Sequence, residues 1–388
     1  MKLLLNAESL IPPLTGIGNY TFNLIEQLRD DEIEDIDCFI GSRHYTAEQA
    51  IANCISSSAQ YAPGTPSSSS QLRTLLRSWT FAYRAREILR STQLKMNAGR
   101  FRNHVYHEPN FILKAYAGKS VATIHDLSFV HYPQFHPQKR VEWLCAQLPK
   151  TLERADFLIT DSDIIRDELI SDFGVGADRV HTVYLGAAES YRPQSEVQTR
   201  AKLEQYGLQH GRYVLFVGTL EPRKGVDTLI NAWCRLPEEL RKEFPLVLAG
   251  APGWHNQELN ERIRTLEISH GLRQLSFVPS QDLPTLYAGA AVFTYPSLYE
   301  GFGLPLLEAM QCGVASICTA DTSMSEFAQG SARLVDRGND EQLAAHLSDL
   351  LNDEASRNEV AAAGLLRAQE FSWKRCAKET LDIYRLVD

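Results

Sequence analysis

Short apolar runs, each closed by a polar or glycine-containing loop and followed by a helical pattern, recur along the whole chain. No other feature of the sequence narrows the fold as much. Runs over 2–5, 37–40, 105–106, 120–124, 157–160 and 179–184 read as strands, and so do 213–218, 246–249, 275–277, 292–295 and 314–318. Helical patterns fill the gaps, as over 20–28, where apolar residues fall at 20, 24, 25 and 28, and over 140–155. Strand, loop and helix in repetition predict a parallel α/β architecture, with ligands at the carboxyl ends of the strands. At 388 residues the chain is too long for one ordinary core. The polar stretch after 185, with Pro193, places a junction near 186–195, dividing the chain into domains 1–190 and 191–371. Helices are expected over 197–206, 340–352, 354–370 and 372–387.

Charge and cysteines exclude several classes of function. The net charge of −9 argues against nucleic acid as the main partner. Seven scattered cysteines with no C-x-x-C fit reduced thiols better than a disulfide framework or a zinc site. The first residues, MKLLLNAESLIPP, have too short an apolar run for a signal peptide, and no run is long enough to span a bilayer. A cytoplasmic protein is expected.

Residues 294–310, TYPSLYEGFGLPLLEAM, read as strand, glycine-rich turn and helix. Gly301 and Gly303 around Phe302 let the backbone approach a ligand closely. Pro305 suits the first helical position. Free N–H groups at a helix start favour a phosphate. Glu300 and Glu308 bracket the turn across rather than along a helical face, which suggests two contacts on one ligand. An anionic ligand with hydroxyl groups, such as a nucleotide sugar, answers to this pattern.

Other candidates lie at strand ends. Gly16 and Gly18 follow the first strand in a glycine loop that lacks the third glycine of a dinucleotide fingerprint, so on its own a simple tight turn is preferred to a phosphate site. Arg223 and Lys224, in GTLEPRKG after the strand at 213–218, suit a diphosphate, although exposed Arg-Lys pairs are often merely solvated. His125, ahead of Asp126, could donate a hydrogen bond, shuttle a proton or be structural; His107 has the same ambiguity. Asp161-Ser162-Asp163 resembles a metal-binding D-x-D, but capping of the following helix is the preferred reading. No metal site is assigned.

One segment contradicts the acidic whole. Residues 71–102 carry Arg73, Arg77, Arg84, Arg86, Arg90, Lys95, Arg100 and Arg102 against the single acid Glu87. Leu72, Leu75, Leu76, Trp79 and Tyr83 recur there at helical spacing. A helix packed on its own domain, with its basic rim touching an anionic membrane, is the reading adopted; a plain packing helix is the alternative.

Together these pieces resemble a known family. YEGFGLPLLEAM, VGTLEPRKG and TGIGNY, joined by TIHDLSF at 123–129, TDSDI at 160–164 and FSWKRCAKETLDIY at 371–384, resemble the retaining nucleotide-sugar glycosyltransferases of family four. In flavour they are closest to bacterial mannosyltransferases of cell-surface polysaccharide synthesis. The resemblance implies the GT-B fold, two Rossmann-like parallel-sheet domains facing a central cleft, with the helix 372–388 returning to the amino-terminal, acceptor domain. It implies a nucleotide-sugar donor on the carboxy-terminal domain, a glycan or lipid-linked acceptor, and no cofactor or required metal. Arg223 and Lys224 would neutralise the diphosphate, Glu308 would hold the ribose and Glu300 the transferred sugar. The amides of Phe302, Gly303 and Leu304 would face sugar or phosphate. Gly16 and Gly18 would close on the diphosphate, and His125 would contact the sugar near the reacting carbon. A nucleotide-sugar 2-epimerase of the same fold and a non-catalytic subunit of a glycan assembly are the alternatives.

Overall fold

Two parallel sheets, one in each half of the chain, carry the architecture of the computed structural model, which describes residues 1–12, 14–29, 33–60, 99–251, 253, 257–275 and 278–387. The chain divides into two compact units. One comprises Met1–Pro133, Pro137–Leu185 and Trp373–Asp388, and the other Gln134–His136 and Gly186–Ser372.

The amino-terminal unit contains β1 (Lys2–Asn6), β2 (Asp35–Ile40), β3 (Arg43–Thr46), β4 (His104–Glu108), β5 (Ser120–Ile124), β6 (Phe157–Thr160) and β7 (Val180–Thr182). They form a sheet in the order β3-β2-β1-β4-β5-β6-β7, parallel throughout except for β3 at the edge. Leu3, Leu4 and Leu5 of β1 are fully buried, as a strand covered on both faces must be. Beyond β3, residues 61–98 lie outside the described part, and with them nearly all of the basic segment 71–102.

The carboxy-terminal unit contains β8 (Val214–Val217), β9 (Leu246–Ala249), β10 (Arg273–Leu275), β11 (Val292–Tyr295), β12 (Ala315–Thr319) and β13 (Arg333–Val335), in the order β10-β9-β8-β11-β12-β13 and all parallel. Each sheet reverses its strand order once, between β1 and β4 and between β8 and β11. The crevice outside the carboxyl ends of such a strand pair is where this class of sheet binds ligands.

Differences from the expected elements are local. The third strand of the second sheet is Arg273–Leu275, two residues earlier than expected; 276 and 277 lie outside the described residues. The edge strands β3 and β13 escaped the pattern because neither is a buried apolar run; β3 has two half-buried residues between two exposed ones. Gly16 and Gly18 do not form a loop. They open the helix Gly16–Leu28, where a Cβ on Gly18 would lie 2.7 Å from the Ser9 carbonyl oxygen. That close approach, rather than a turn, is what glycine permits there. The terminal helix Trp373–Val387 buries Trp373, Cys376, Ala377, Leu381 and Tyr384 within the amino-terminal unit. All seven cysteines are free thiols. Among the described residues no helix is long and apolar enough to cross a membrane.

Candidate functional site

The β8 and β11 loops meet at the reversal point of the second sheet. After Val217 the chain closes into a short turn, Pro222–Lys224, and then Gly225 at φ +69°. A Cβ on Gly225 would lie 2.0 Å from the Pro296 carbonyl oxygen, so only glycine fits. Leu298 N–H donates to the Arg223 carbonyl at 2.8 Å, stitching the two loops together.

This stitching brings residues far apart in sequence into one ion cage. Lys224 Nζ donates to Glu300 Oε1 at 2.6 Å and to the Tyr295 hydroxyl at 2.9 Å. Arg223 Nη1 donates to the Tyr299 carbonyl at 2.6 Å and Nη2 to Glu221 Oε1 at 2.8 Å; Nη1 also lies 3.6 Å from Glu300 Oε2. Ser297 Oγ donates to Glu300 Oε1 at 2.5 Å. The side chains of Glu221, Arg223, Lys224 and Glu300 are all buried or nearly so. Burial alone would raise the pKa of Glu300. Lys224 and Arg223 outweigh it and hold the carboxyl below the usual carboxylate range, while burial lowers the pKa of Lys224 against the pull of Glu300.

The turn that follows is set by Gly303, at φ +103°, ahead of the helix Leu304–Gln311. Pro305 takes the second helical position, not the first. The Phe302 side chain is buried against Phe327, with centroids 4.8 Å apart, so it packs into the core rather than toward a ligand. Leu304 opens the helix, and its amide, like that of Gly303, falls among the N–H groups that no helical carbonyl satisfies. Glu308 stands on the second turn, half-buried. It accepts from the Tyr287 hydroxyl at 2.9 Å and also from Tyr191. Burial pushes its carboxyl up to about 7, against the pull of the two phenols.

The reversal point of the first sheet is built differently. The helix Gly16–Leu28 begins after β1, leaving the amides of Gly16 and Gly18 in its first turn. His125, just after β5, is buried with both ring nitrogens engaged: Nδ1 with Asp161 Oδ2 at 2.7 Å and Nε2 with the Pro109 carbonyl at 2.8 Å. The Pro109 carbonyl can only accept, so Nε2 carries a proton, and a second proton lies between Nδ1 and Asp161; held on Nδ1, it makes the ring an imidazolium. Burial disfavours that charge, but Asp161 and the Pro109 carbonyl outweigh it and raise the pKa of His125. His107 is its neutral counterpart. Burial, reinforced by the charge on His125, pushes it down to about 3. Its ring pairs with the Tyr384 hydroxyl at 2.6 Å and with Thr123 Oγ1 at 2.8 Å, and Thr123 pairs with Tyr20.

Both halves of the chain match known family models: residues 14–190 that of Glycosyltransferase Family 4, and residues 199–367 that of Glycosyl transferases group 1. Over all 388 residues, and over the full length of both proteins, the chain is 34% identical to O-antigen chain mannosyltransferase B of Escherichia coli. The chain belongs to glycosyltransferase family 4. Among solved structures it resembles sucrose-phosphate synthase from Thermosynechococcus elongatus, with a TM-score of 0.76, 19% identity and coverage of 100% of this chain and 98% of that one. It also resembles Anabaena HepE, solved in complex with UDP-glucose, with a TM-score of 0.69, 17% identity and 99% coverage of each chain. The two units are those of the GT-B fold that the motifs implied.

As a family 4 member the chain carries its motif residues where the sheets reverse, within each unit. The motifs did not reveal the residues that hold them. Glu221, Ser297 and Tyr295 around the cage, Tyr287 and Tyr191 around Glu308, and Asp161 beside His125 all lie outside the expected site. Ser297 and Tyr295 flank Pro296 at a strand end, which is a usable signal; the others needed the fold. In the D-x-D stretch, Ser162 caps the helix Asp163–Phe173 through Ile165 N–H, and Asp163 accepts from Thr182 and Tyr184. Asp35, Asp37 and His104 lie close enough to offer a cation three ligand atoms, at the amino ends of β2 and β4 and away from the reversal point. Arg100 already occupies Asp37 at 3.1 Å.

Proposed function

We propose that the chain transfers a mannosyl group, with GDP-mannose as donor, to a lipid-linked or oligosaccharide acceptor in the assembly of a cell-surface polysaccharide. The observation that carries this reading is the full-length 34% identity to O-antigen chain mannosyltransferase B. In it, Arg223 and Lys224 neutralise the donor diphosphate, whose charge grows as the glycosidic bond breaks. The amides of Phe302, Gly303 and Leu304 add dipoles at the same helix start. Glu300 accepts from hydroxyls of the transferred sugar and Glu308 from those of the ribose. Gly16 and Gly18 provide a helix start suited to phosphate in the amino-terminal unit.

The cage holds two cations and two carboxylates, so it is formally neutral as it stands. A diphosphate binds there by exchanging for carboxylate contacts on Lys224 and Arg223, which frees Glu300 for hydroxyl groups. The bond from the anomeric carbon to the leaving phosphate oxygen then breaks. The acceptor oxygen bonds to that carbon on the same face, and its proton passes to the leaving oxygen. No enzyme nucleophile is assigned. His125 stays assigned to the transferred sugar as a cation held in place, with both ring nitrogens engaged by Asp161 and the Pro109 carbonyl.

The test is incubation with labelled GDP-, UDP- and ADP-sugars, with and without membrane lipid extract. A lipid-extractable product from GDP-mannose supports the proposal. An epimerised nucleotide sugar formed without acceptor replaces it with a 2-epimerase, and inertness toward every donor points to a non-catalytic subunit. We further propose that 71–102 touches anionic lipid at the inner face of the membrane. Flotation with anionic but not neutral liposomes is the expected result, and equal binding to both removes the idea.

A further inference from the structure

The turn that carries Glu300 rests on a segment outside the motifs quoted for the family resemblance. After β12 the chain passes through Asp321, a non-glycine residue at φ +51° whose carbonyl accepts from Arg337. The short helix Ser323–Ala328 follows, its start closed by reciprocal bonds between Thr322 and Ser325. Three of its side chains meet three residues of the turn. Ser323 Oγ donates to the Glu300 carbonyl at 2.7 Å and lies 3.4 Å from that of Phe302. Met324 fills the space beside Gly303, where a Cβ would lie 2.5 Å from Met324 Cγ. Phe327 stacks on Phe302 with an interplanar angle of 26°. Ser323, Met324 and Phe327 are no more than 1% exposed, so the shelf they make is rigid.

A carbonyl and the N–H that follows it share one peptide plane and point opposite ways. Fixing the Glu300 carbonyl therefore aims the Gly301 amide, and restraining that of Phe302 aims the Gly303 amide. With glycines at 301 and 303, the turn has little intrinsic stiffness of its own. We propose that Ser323 is a positioning residue for sugar transfer: its hydroxyl holds the Glu300–Gly303 turn in the geometry that receives the transferred sugar. This rests on the donor reading above and deepens it: the 2.7 Å bond falls on Glu300, the residue assigned to the transferred sugar, whereas Arg223 and Lys224, the cations assigned to the diphosphate, stand on another loop.

The experiment compares Ser323→Ala with the parent protein by calorimetric titration with GDP-mannose and with GDP, alongside donor KM and kcat. The dissociation constant for GDP-mannose is expected to rise about tenfold, the scale of one lost hydrogen bond, while that for GDP changes by less than about twofold. Equal weakening toward both probes would reduce Ser323 to a general structural role, and no change toward either would remove the role altogether. Should Ser323→Ala fold poorly, the near-isosteric Ser323→Cys, a weaker donor, carries the same comparison with a smaller expected shift in the same direction. A parent protein that binds neither probe nor any other nucleotide sugar overturns the donor reading itself. That outcome is distinct from a parent that binds both and a variant that treats them alike.

Discussion

The two sheets reverse strand order in the same way, yet what stands at each reversal differs in kind. In the carboxy-terminal unit the polar groups are ions: Arg223 and Lys224 against Glu221 and Glu300, two of each sign. In the amino-terminal unit they are mainly neutral. Tyr384, His107, Thr123 and Tyr20 run hydroxyl to ring to hydroxyl, and His125 with Asp161 is the ion pair beside them. Ions in contact can trade one partner for another charged ligand at modest cost, which suits a site that takes and releases a diphosphate. A neutral chain of hydrogen bonds has nothing comparable to trade. It ties the terminal helix Trp373–Val387 to β4 and β5. The two regions therefore should fail in different ways when cut.

The largest expected effect comes from the one place where the first unit resembles the second. His125→Ala leaves Asp161 buried without its cation, and breaking a buried pair from one side costs about 3–5 kcal/mol. Denaturant unfolding should show the loss directly. A variant as stable as the parent would mean that the pair carries no charge and that the imidazolium argument fails. Next is Lys224→Ala, which removes a preorganised cation from the proposed diphosphate site. Transfer from labelled GDP-mannose is expected to fall about 10²–10³-fold, the usual effect of deleting one such group. Arg223 and Ser297 still hold Glu300, so its unfolding midpoint should move far less than that of His125→Ala. The reverse ranking, stability lost and turnover kept, would assign the cage a structural role.

The comparison also marks what the sequence could disclose. The alternation of runs located most of the strands in both sheets, because buried parallel strands are apolar throughout and stand out from their loops. It missed β3, whose residues are half-buried or exposed, and it placed Gly16 and Gly18 in a loop because glycine signals permissive backbone without saying whether a turn or a close helix contact needs it. The motif residues Arg223, Lys224 and Glu300 were visible because each sits beside glycine or proline in a loop after a strand, and Glu308 because it follows the same glycine-rich turn. Their partners were not. Lys224 and Glu300 are 76 residues apart, and His107 and Tyr384 are 277 apart. A pair of that kind exists only once the sheet order is known. The pairing of His125 was equally hidden, since its two partners, Asp161 and the Pro109 carbonyl, come from different loops.

A third prediction separates the donor contacts from each other by pH. Burial raises the Glu308 carboxyl to about 7, whereas Glu300 is held below the usual range by its cations. A carboxylate accepts from two ribose hydroxyls only when ionised. As pH falls through about 7, Glu308 takes up a proton and donor KM should rise, approaching about tenfold per pH unit; above 7 it should level off. Glu300 stays ionised over the same interval and adds no slope. Initial rates at varied donor concentration between pH 5.5 and 8.5, a span of roughly one and a half units either side of Glu308, would show the inflection. Glu308→Gln should flatten it while leaving KM high throughout. A flat profile in the parent protein would remove Glu308 from the ribose.

The smallest effect is expected at the end of the neutral network. Tyr384→Phe deletes one hydroxyl and leaves the ring in place, so the packing of the terminal helix is preserved. His107 keeps Thr123 at Nε2 and loses its partner at Nδ1. Because His107 is neutral, with burial pushing it down to about 3, no charge is stranded. The cost should be that of one buried hydrogen bond, about 1 kcal/mol, and not that of a broken ion pair. Measured by urea unfolding, the loss should be the same at pH 6 and pH 8, roughly one unit either side of neutrality and both far above the His107 value, because the group does not titrate between them. A loss several times larger, or one that grows toward acid pH, would show that His107 carries a proton after all. The contrast between an ionic and a neutral reversal point would then collapse into two versions of the same design.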